Sequence, residues 1–278
     1  MQQQKVDFRR IERKSVPWTM LCTLYLRAYE SRAEHSILGD RAAAEAVDRI
    51  EYDFERMRRD VRPAGNQYLV ALRASQFDAW ARDFLDRYPD AVVLHLGCGL
   101  DSRAFRLDVP AGQGGRGGGP PQHDWFDVDV PEVMELRRQV YAEHDLYRMI
   151  AASVTDPAWL EEVPEGRPAL IVAEGLLMYL REPDVRQLLQ RLTDRFATGE
   201  LLFDAMPPAG ERFSRIAHWG LGDPRQLERW NPRLRYLEQT TALAQFAKIP
   251  VARYRRLYRL YNAIPGVRGF NRLYRFAF

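Results

Sequence analysis

The sequence predicts an α/β fold of the Rossmann-like class: a mostly parallel, seven-stranded sheet with helices on both faces and an N-terminal helical cap. Apolar runs of strand length alternate with helical periods between about residue 90 and residue 205, which is typical of a parallel sheet with crossover helices. The first of these runs ends in Gly97 and Gly99, a tight turn that favours close approach of a nucleotide-like ligand.

The cap is predicted over residues 1–66, because residues 17–60 have the periodicity of helices. The Rossmann-like domain is predicted over residues 67–278, as one compact unit with the cap, and it begins with a helix over 67–87. The next elements are predicted in this order: strands at 92–96 and near 123–128, a helix from 132 to about 144, strands near 148–152 and at 168–174, a helix over 182–197 and a strand at 200–205.

The last part of the chain, residues 206–278, is expected to add a closing antiparallel hairpin. Within it, residues 273–278 alternate between apolar and polar positions like a final edge strand. Residues 111–122 are rich in glycine and predict a low-complexity loop with no direct chemical role. Because ligands of such sheets lie outside the carboxyl ends of the strands, the functional site is expected at that edge.

The glycine turn after the first strand limits the choice of cofactor. A dinucleotide fingerprint has a third glycine three residues after the second, and this chain has Ser102 there. A pyrophosphate would lose its usual seat at the helix N-terminus, so nicotinamide and flavin dinucleotides are disfavoured. The next candidate is a nucleoside cofactor without phosphates, such as S-adenosylmethionine.

A second feature is the alternating acidic and apolar segment that ends in Asp129, Val130 and Pro131. An acidic residue at the end of the second strand is well placed to accept hydrogen bonds from both ribose hydroxyls of an adenosine cofactor. The alternative is a helix N-cap, since Asp before Pro and Glu is also a helix start signal.

Four segments in this order resemble the leucine carboxyl methyltransferase family, and more closely its bacterial branch of polyketide-type O-methyltransferases: residues 96–106, 127–133, 154–160 and 173–180. The resemblance runs from about Leu24 to the end of the chain. It implies a class I methyltransferase fold and S-adenosylmethionine as the cofactor. The implied activity is transfer of a methyl group to a hydroxyl or carboxyl group of a small, polyketide-like secondary metabolite.

The resemblance also implies roles for residues near the methionine end of the cofactor. Arg73 matches the arginine that holds the methionine carboxylate, a task suited to a planar guanidinium. Gly97 and Gly99 match the close-approach turn, and Glu174 matches an acidic residue near the methionine end. The alternative for Arg73 is a solvated helix arginine. A charge directly after a buried strand, as at Glu174, needs a partner or a ligand.

At the adenosine end, Asp129 matches the carboxylate that binds the ribose. Ser153, followed by Val154, stands where the family often has an aspartate that contacts the adenine amino group. Asp129, Ser153 and Val154 are therefore expected to bind the cofactor, although Ser153 departs from the family pattern. A serine hydroxyl can still accept a hydrogen bond.

The acceptor is less well defined by the sequence. A carboxylate acceptor is already ionised, whereas a phenol with a pKa near 10 needs a general base, and His218 is the candidate for this catalytic role. Its alternative is a structural or exposed histidine. A flat-sided apolar wall that suits an aromatic acceptor, or else a buried core, is expected from Met178, Tyr179, Met206, Phe213 and Trp219.

Composition narrows the partners and the location. No apolar run is long enough to span a membrane, the N-terminus lacks a signal-peptide pattern, and Cys22 and Cys98 are the only cysteines. A cytoplasmic protein without disulfides is therefore expected, and no Cys/His cluster has the spacing of a metal site. Residues 251–278 contain seven arginines and no acidic residue. Nucleic-acid or membrane binding by this segment is less favoured than packing of its aromatic side chains on the fold.

Two other function classes stay open at this point. One is a dinucleotide-dependent oxidoreductase, which the missing third glycine disfavours. The other is a non-catalytic, cofactor-binding or interaction protein. The expected partner is a small-molecule acceptor, without nucleic acid or membrane, and the sequence indicates no oligomeric state.

Overall fold

The computed structural model describes residues 5–13, 15–107, 122–208 and 217–278 of the chain. Its N-terminal part combines helices with two short strands, where the sequence predicts helices alone: β1 (Val6–Asp7), α1 (Val16–Ser31), α2 (Arg41–Arg49), β2 (Ile50–Glu51) and α3 (Phe54–Val61). The two strands pair in parallel. Strands of two residues are too short to produce an alternating pattern in the sequence.

Each of these three helices begins after a polar side chain that accepts a main-chain hydrogen bond. The acceptors are Ser15 for α1, Asp40 for α2 and Asp53 for α3. Such N-caps satisfy amide groups that have no partner inside the helix. The predicted apolar face of α1 is buried, and it consists of Leu21, Leu24, Tyr25 and Ala28.

A long helix, α4 (Pro63–Arg87), connects this region to the central sheet. It begins four residues before the predicted start at residue 67, with proline in its first turn, where the missing N–H costs nothing. The predicted boundary at residue 66 therefore falls within the first turn of α4. The division of the chain into a cap and a Rossmann-like domain stays a prediction.

The central sheet has seven strands, as the sequence predicts: β3 (Val92–Leu96), β4 (Asp124–Asp129), β5 (Tyr147–Ala151), β6 (Ala169–Ala173), β7 (Gly199–Ala205), β8 (Arg235–Thr241) and β9 (Arg272–Ala277). The order across the sheet is β5-β4-β3-β6-β7-β9-β8. The first five strands are parallel, and β9 is antiparallel to both of its neighbours. The remaining helices are α5 (Arg103–Leu107), α6 (Pro131–Val140), α7 (Glu182–Arg195), α8 (Arg225–Trp230), α9 (Ala252–Ala263) and α10 (Pro265–Arg268).

The prediction of an edge strand at residues 273–278 is wrong. Strand β9 lies between β7 and β8, and β8 forms the edge. Tyr274 and Phe276 are completely buried, and their rings stack on Phe203 at 5.2 and 5.8 Å between centroids. Alternation indicates a strand whose two faces differ, but it does not reveal how many neighbours the strand has.

The two faces of the sheet bury separate apolar clusters, which confirms helices on both faces. Val93 and Val172 contribute to the cluster that includes Phe77 and Phe84 of α4. Leu94 and Ile171, the neighbours of those two residues along the strands, contribute to the cluster on α7, which includes Val185, Leu188 and Leu192. The period of two along a strand therefore divides the core into two layers.

Cys22 and Cys98 are both buried and free. None of the helices within the described ranges combines the length and the apolar character that crossing a bilayer requires. Of the predicted loop at residues 111–122, all but Gln122 lies outside the described residues, as does Phe213.

The start of β7 generates a prediction about packing. A Cβ atom on Gly199 would overlap the Phe278 ring and the carbonyl oxygen of Ala169 on the neighbouring strand. We expect Gly199→Ala to lower the free energy of unfolding by about 1–3 kcal/mol, because a main-chain carbonyl cannot move aside cheaply. The matched control is Gly266→Ala, where a Cβ would meet no atom within 4 Å. Urea unfolding of both variants measures the difference, and equal stabilities would contradict the packing.

Candidate active site

The glycine turn after β3 lies at the carboxyl edge of the sheet. Gly97 and Gly99 have φ of +61° and +52°, a backbone conformation that favours glycine. A Cβ on Gly97 would lie 2.8 Å from Cδ1 of Leu176, and one on Gly99 would lie 3.2 Å from Sδ of Met20 in α1. The turn is therefore enclosed between α1 and the segment after β6, with no room for side chains at either glycine.

Asp129, the last residue of β4, joins this turn to its own strand. Its Oδ2 accepts a hydrogen bond from the main-chain N–H of Gly99 at 2.8 Å, and its Oδ1 accepts one from Val130, also at 2.8 Å. Burial raises the pKa of Asp129 in spite of these two donors. The N-cap of α6 is Val130, and it makes no side-chain cap. The alternative role of Asp129 as a helix cap is therefore wrong.

Glu174, directly after β6, forms the centre of a buried ionic cluster. Its Oε1 lies 2.9 Å from Nε of Arg73, and its Oε2 accepts a hydrogen bond from Nη2 of Arg103 at 2.5 Å. Nη2 of Arg27 lies 3.7 Å away. Burial raises the pKa of Glu174, but the three guanidinium charges outweigh burial and lower that pKa to about 2. The carboxyl group is thus fully ionised at neutral pH.

Arg73 on α4 has a second acidic partner, which the sequence interpretation missed. Its Nη1 donates to Oδ2 of Asp204 at 3.0 Å, so the alternative of a solvated helix arginine is wrong. Asp204 is completely buried and also accepts hydrogen bonds from the Gly175 N–H at 2.5 Å and from Nδ2 of Asn271 at 2.9 Å. Asp204 comes near the end of the apolar run of β7, the same signal that singled out Glu174.

A wider network ties the N-terminal helices to the turn. Arg106 of α5 donates to Asp101 at 2.5 Å, to Asp78 of α4 at 2.8 Å and to Asp40, the N-cap of α2, at 3.1 Å. Arg27 of α1 reaches Asp101 at 3.2 Å. The nearby guanidinium groups lower the pKa of Asp101 although burial raises it. These pairs hold α1 and α2 against the carboxyl edge of the sheet.

Arg137 of α6 supports the glycine turn. This completely buried side chain donates to the carbonyl oxygens of Gly99 at 2.9 Å and Asp101 at 2.7 Å. Its charge is balanced by Asp127 of β4, which also accepts a hydrogen bond from the Tyr147 hydroxyl at 2.5 Å. A charged group that no sequence motif identified thus holds the carbonyl oxygens of the turn in place.

Ser153 and Val154 follow β5 at the same edge. The Ser153 hydroxyl is half-buried and shares a hydrogen bond of 2.7 Å with the hydroxyl of Thr155. Val154 is buried, and its carbonyl oxygen accepts hydrogen bonds from Trp159 and Arg191. The structure therefore brings all four predicted strand ends to one edge of the sheet.

The residues expected around the acceptor are less closely grouped. His218 is exposed, and its main-chain N–H donates to the carbonyl of Met178 at 2.8 Å. Met178 and Met206 form a small buried cluster with Ala217, whereas 42% of Tyr179 is exposed. Trp219 packs in the core between the rings of Phe203 and Trp230. For this residue the alternative of a buried core therefore holds, and not the acceptor wall.

Comparison with known proteins decides the family. The model of the leucine carboxyl methyltransferase family matches residues 20–193, which is more than half of the chain. The chain belongs to this family. Its membership confirms the resemblance found in the sequence, and the chain is a methyltransferase.

Two relatives of this methyltransferase span most of its length. The tetracenomycin polyketide synthesis O-methyltransferase TcmP of Streptomyces glaucescens is 46% identical over 235 residues, covering 81% of this chain and 82% of TcmP. The S-adenosyl-L-methionine-dependent methyltransferase dpfgK of Gibberella zeae is 34% identical, covering 83% of this chain and 84% of dpfgK. A crystal structure of a putative methyltransferase from Thermobifida fusca matches with a TM-score of 0.54 and 18% identity over 94% of this chain and 98% of that one. This likeness confirms the predicted fold.

The ionic cluster generates a prediction about pH. Replacing Glu174 with Gln leaves three buried guanidinium groups without their shared acidic partner, so we expect a loss of about 3–5 kcal/mol in the free energy of unfolding at neutral pH. The folded pKa of about 2 lies below the ordinary value of 4.5. The carboxylate therefore stabilises the fold fully above the ordinary value, and this contribution disappears as pH falls towards the folded pKa.

Urea unfolding of wild type and Glu174→Gln at about pH 7 and about pH 3.5 tests this expectation. The gap in stability is expected to narrow at the lower pH. The control is Glu161→Gln, which removes an exposed carboxyl group and is expected to change little at either pH. A gap that stays constant with pH would show that the charge of Glu174 is not what stabilises the cluster.

Proposed function

We propose that this methyltransferase transfers the methyl group of S-adenosylmethionine to an oxygen atom of a small, polyketide-like molecule. The observation that carries the proposal is the 46% identity to an O-methyltransferase of polyketide synthesis along 81% of the chain. The dependence of dpfgK on S-adenosylmethionine supports the cofactor. Family membership argues against the dinucleotide oxidoreductase and the non-catalytic alternative.

The site has features that fit the cofactor. Gly97 and Gly99 form a tight turn with positive φ at the carboxyl end of β3, where an adenosyl group would approach the main chain. We propose that the Asp129 carboxylate accepts hydrogen bonds from the ribose hydroxyls, with Ser153 and Val154 beside the adenine. Each carboxylate oxygen of Asp129 receives one main-chain donor, and a carboxylate oxygen can accept more than one.

At the methionine end we propose Arg73 for the carboxylate and Glu174 for the ammonium group. The guanidinium of Arg73 makes its ion pairs through Nε and Nη1 and is 18% exposed, so part of it can be reached by a ligand. Oε1 of Glu174 is buried and has no hydrogen bond among the described residues. A buried carboxylate oxygen held only by ion pairs, next to a partly accessible guanidinium, suits the amino-acid end of the cofactor.

When bound, S-adenosylmethionine supplies a sulfonium methyl group that an acceptor oxygen can attack in line. The chain contributes by holding the two reactants in that geometry, which is worth on the order of 7–11 kcal/mol of the barrier. The buried pairs of Glu174, Arg73 and Asp204 fix the methionine end and thereby the direction of the methyl group. We propose His218 as the base for a hydroxyl acceptor, and a carboxylate acceptor needs none.

We also propose a cytoplasmic location and a small-molecule acceptor as the partner, without nucleic acid. The 46% identity to TcmP, an O-methyltransferase of tetracenomycin polyketide synthesis, supports a small-molecule acceptor.

The function is tested by incubating the protein with S-[methyl-¹⁴C]adenosylmethionine and a panel of aromatic polyketide acids and phenols. We expect label to enter an organic-soluble product with at least one of them, and its absence from every reaction would contradict the proposal. In the same assay, His218→Gln is expected to slow methylation of a phenol and to leave methylation of a carboxylate unchanged, because only the phenol must lose a proton. If His218→Gln methylates the phenol as fast as wild type does, His218 is not the base.

A further inference from the structure

A cleft separate from the strand ends lies where the N-terminal helices meet α9. Its volume is about 500 Å³, within the range of pockets that hold small organic ligands. Its lining includes residues from α1, α3, the first turn of α4 and α9: Tyr29, Arg58, Arg62, Gly65, Asn66 and Tyr254. None of these residues belongs to the proposed cofactor site.

The cleft is positively charged. Arg58 and Arg62 line it, and the lining contains no acidic side chain. Arg58 has only a loose, exposed contact of 4.0 Å with Glu55, and the Arg62 side chain has no ion pair or hydrogen bond to any described residue. Arg62 has φ of +44°, and it is the only non-glycine residue with positive φ in the described ranges. This costly conformation at the junction of α3 and α4 fixes where the side chain leaves the backbone.

The cleft also has an aromatic wall. The Tyr254 ring packs against Tyr68 with 5.5 Å between centroids, and the Arg253 guanidinium lies over the Tyr254 ring at 4.6 Å from its centroid. A Cβ on Gly65 would lie 3.3 Å from Cε1 of Tyr254, so the glycine allows the ring to approach α4 closely. Tyr29 contributes a second ring to the lining. Aromatic rings combined with guanidinium groups suit a flat, anionic ligand.

The position of the cleft relates it to the methyl-transfer site. Helix α4 ends at Arg87, just before β3 begins at Val92, and Arg73 on this helix pairs with Glu174 at the carboxyl edge, so the first turns of α4 extend beyond that edge. Gly65 and Arg73 are eight residues apart on this helix, a distance of about 12 Å along its axis. That separation is comparable to the length of a fused polycyclic molecule.

We propose that this cleft binds the far end of an aromatic acid acceptor. Arg58 and Arg62 hold its carboxylate, and Tyr29 and Tyr254 contact its rings. The oxygen that receives the methyl group then lies at the opposite end of the molecule, near Arg73. This assignment rests on the proposed function and narrows it to acceptors that carry a negative charge remote from the methylated oxygen.

The test uses anthraquinone-2-carboxylate as the probe and its neutral carboxamide as the matched ligand. Isothermal titration of the full chain, saturated with S-adenosylhomocysteine, is compared with the Arg58→Gln/Arg62→Gln double variant and with Arg59→Gln. Arg59 is an exposed arginine of the same helix that does not line the cleft. We expect the carboxylate to bind about tenfold or more weakly to the double variant, because charge-assisted hydrogen bonds are lost, and equally well to wild type and Arg59→Gln.

The carboxamide is expected to bind wild type and the double variant equally. The proposal is overturned if the carboxylate does not bind wild type, if the double variant binds it as tightly as wild type, or if Arg59→Gln weakens it as much. Titration with S-adenosylhomocysteine alone distinguishes a failure of the proposed function from a failure of the cleft proposal. Failure of wild type to bind that compound would contradict the proposed function, whereas its normal binding to every variant shows that the variants are folded and that any change concerns the cleft.

Discussion

The arrangement of the whole carboxyl edge depends on one buried charge, the carboxylate of Glu174. A charge in the interior is tolerated only when partners surround it, since an unpaired buried ion costs several kcal/mol. Its partners Arg73, Arg103 and Arg27 come from α4, α5 and α1. Satisfying this carboxylate therefore brings the N-terminal helices, the helix before β3 and the helix after it to a single place.

The same constraint connects the fold with its chemistry. Arg73 is shared between Glu174 and Asp204, and Asp204 also holds Asn271 just before β9. The antiparallel end of the sheet is thereby linked to the residues proposed for the methionine part of the cofactor. Below the glycine turn, Arg137 and Asp127 form a second buried pair that fixes the carbonyl groups of Gly99 and Asp101. Most charged groups of the site are therefore already paired within the protein before any ligand binds.

Local patterns explain which features the sequence predicts. The strand β6 is a continuous apolar run, and β3 is apolar except for His95. Gly97 directly follows β3 and Asp129 ends β4, so their place at the carboxyl edge follows from the parallel topology. The ion pairs of the site cannot be predicted from local patterns in this way. Arg73 and Asp204 are 131 positions apart, and Arg103 and Glu174 are 71 apart, so no local spacing reveals either pair. Likewise, the two neighbours of β9 come from other parts of the chain, and the alternating pattern of β9 does not show how many neighbours it has. The cleft beside α9 joins three separated stretches of the chain and has no sequence signature.

The central claim is that the strand ends hold the nucleoside cofactor, and the affinity of Asp129→Asn for S-adenosylhomocysteine tests it most directly. Calorimetry should show binding about tenfold or more weaker than wild type, because the charged acceptor of the ribose hydroxyls is lost. The control Asp145→Asn, at an exposed position, should bind as wild type does. An unchanged affinity in Asp129→Asn, with the fold intact, would contradict the account.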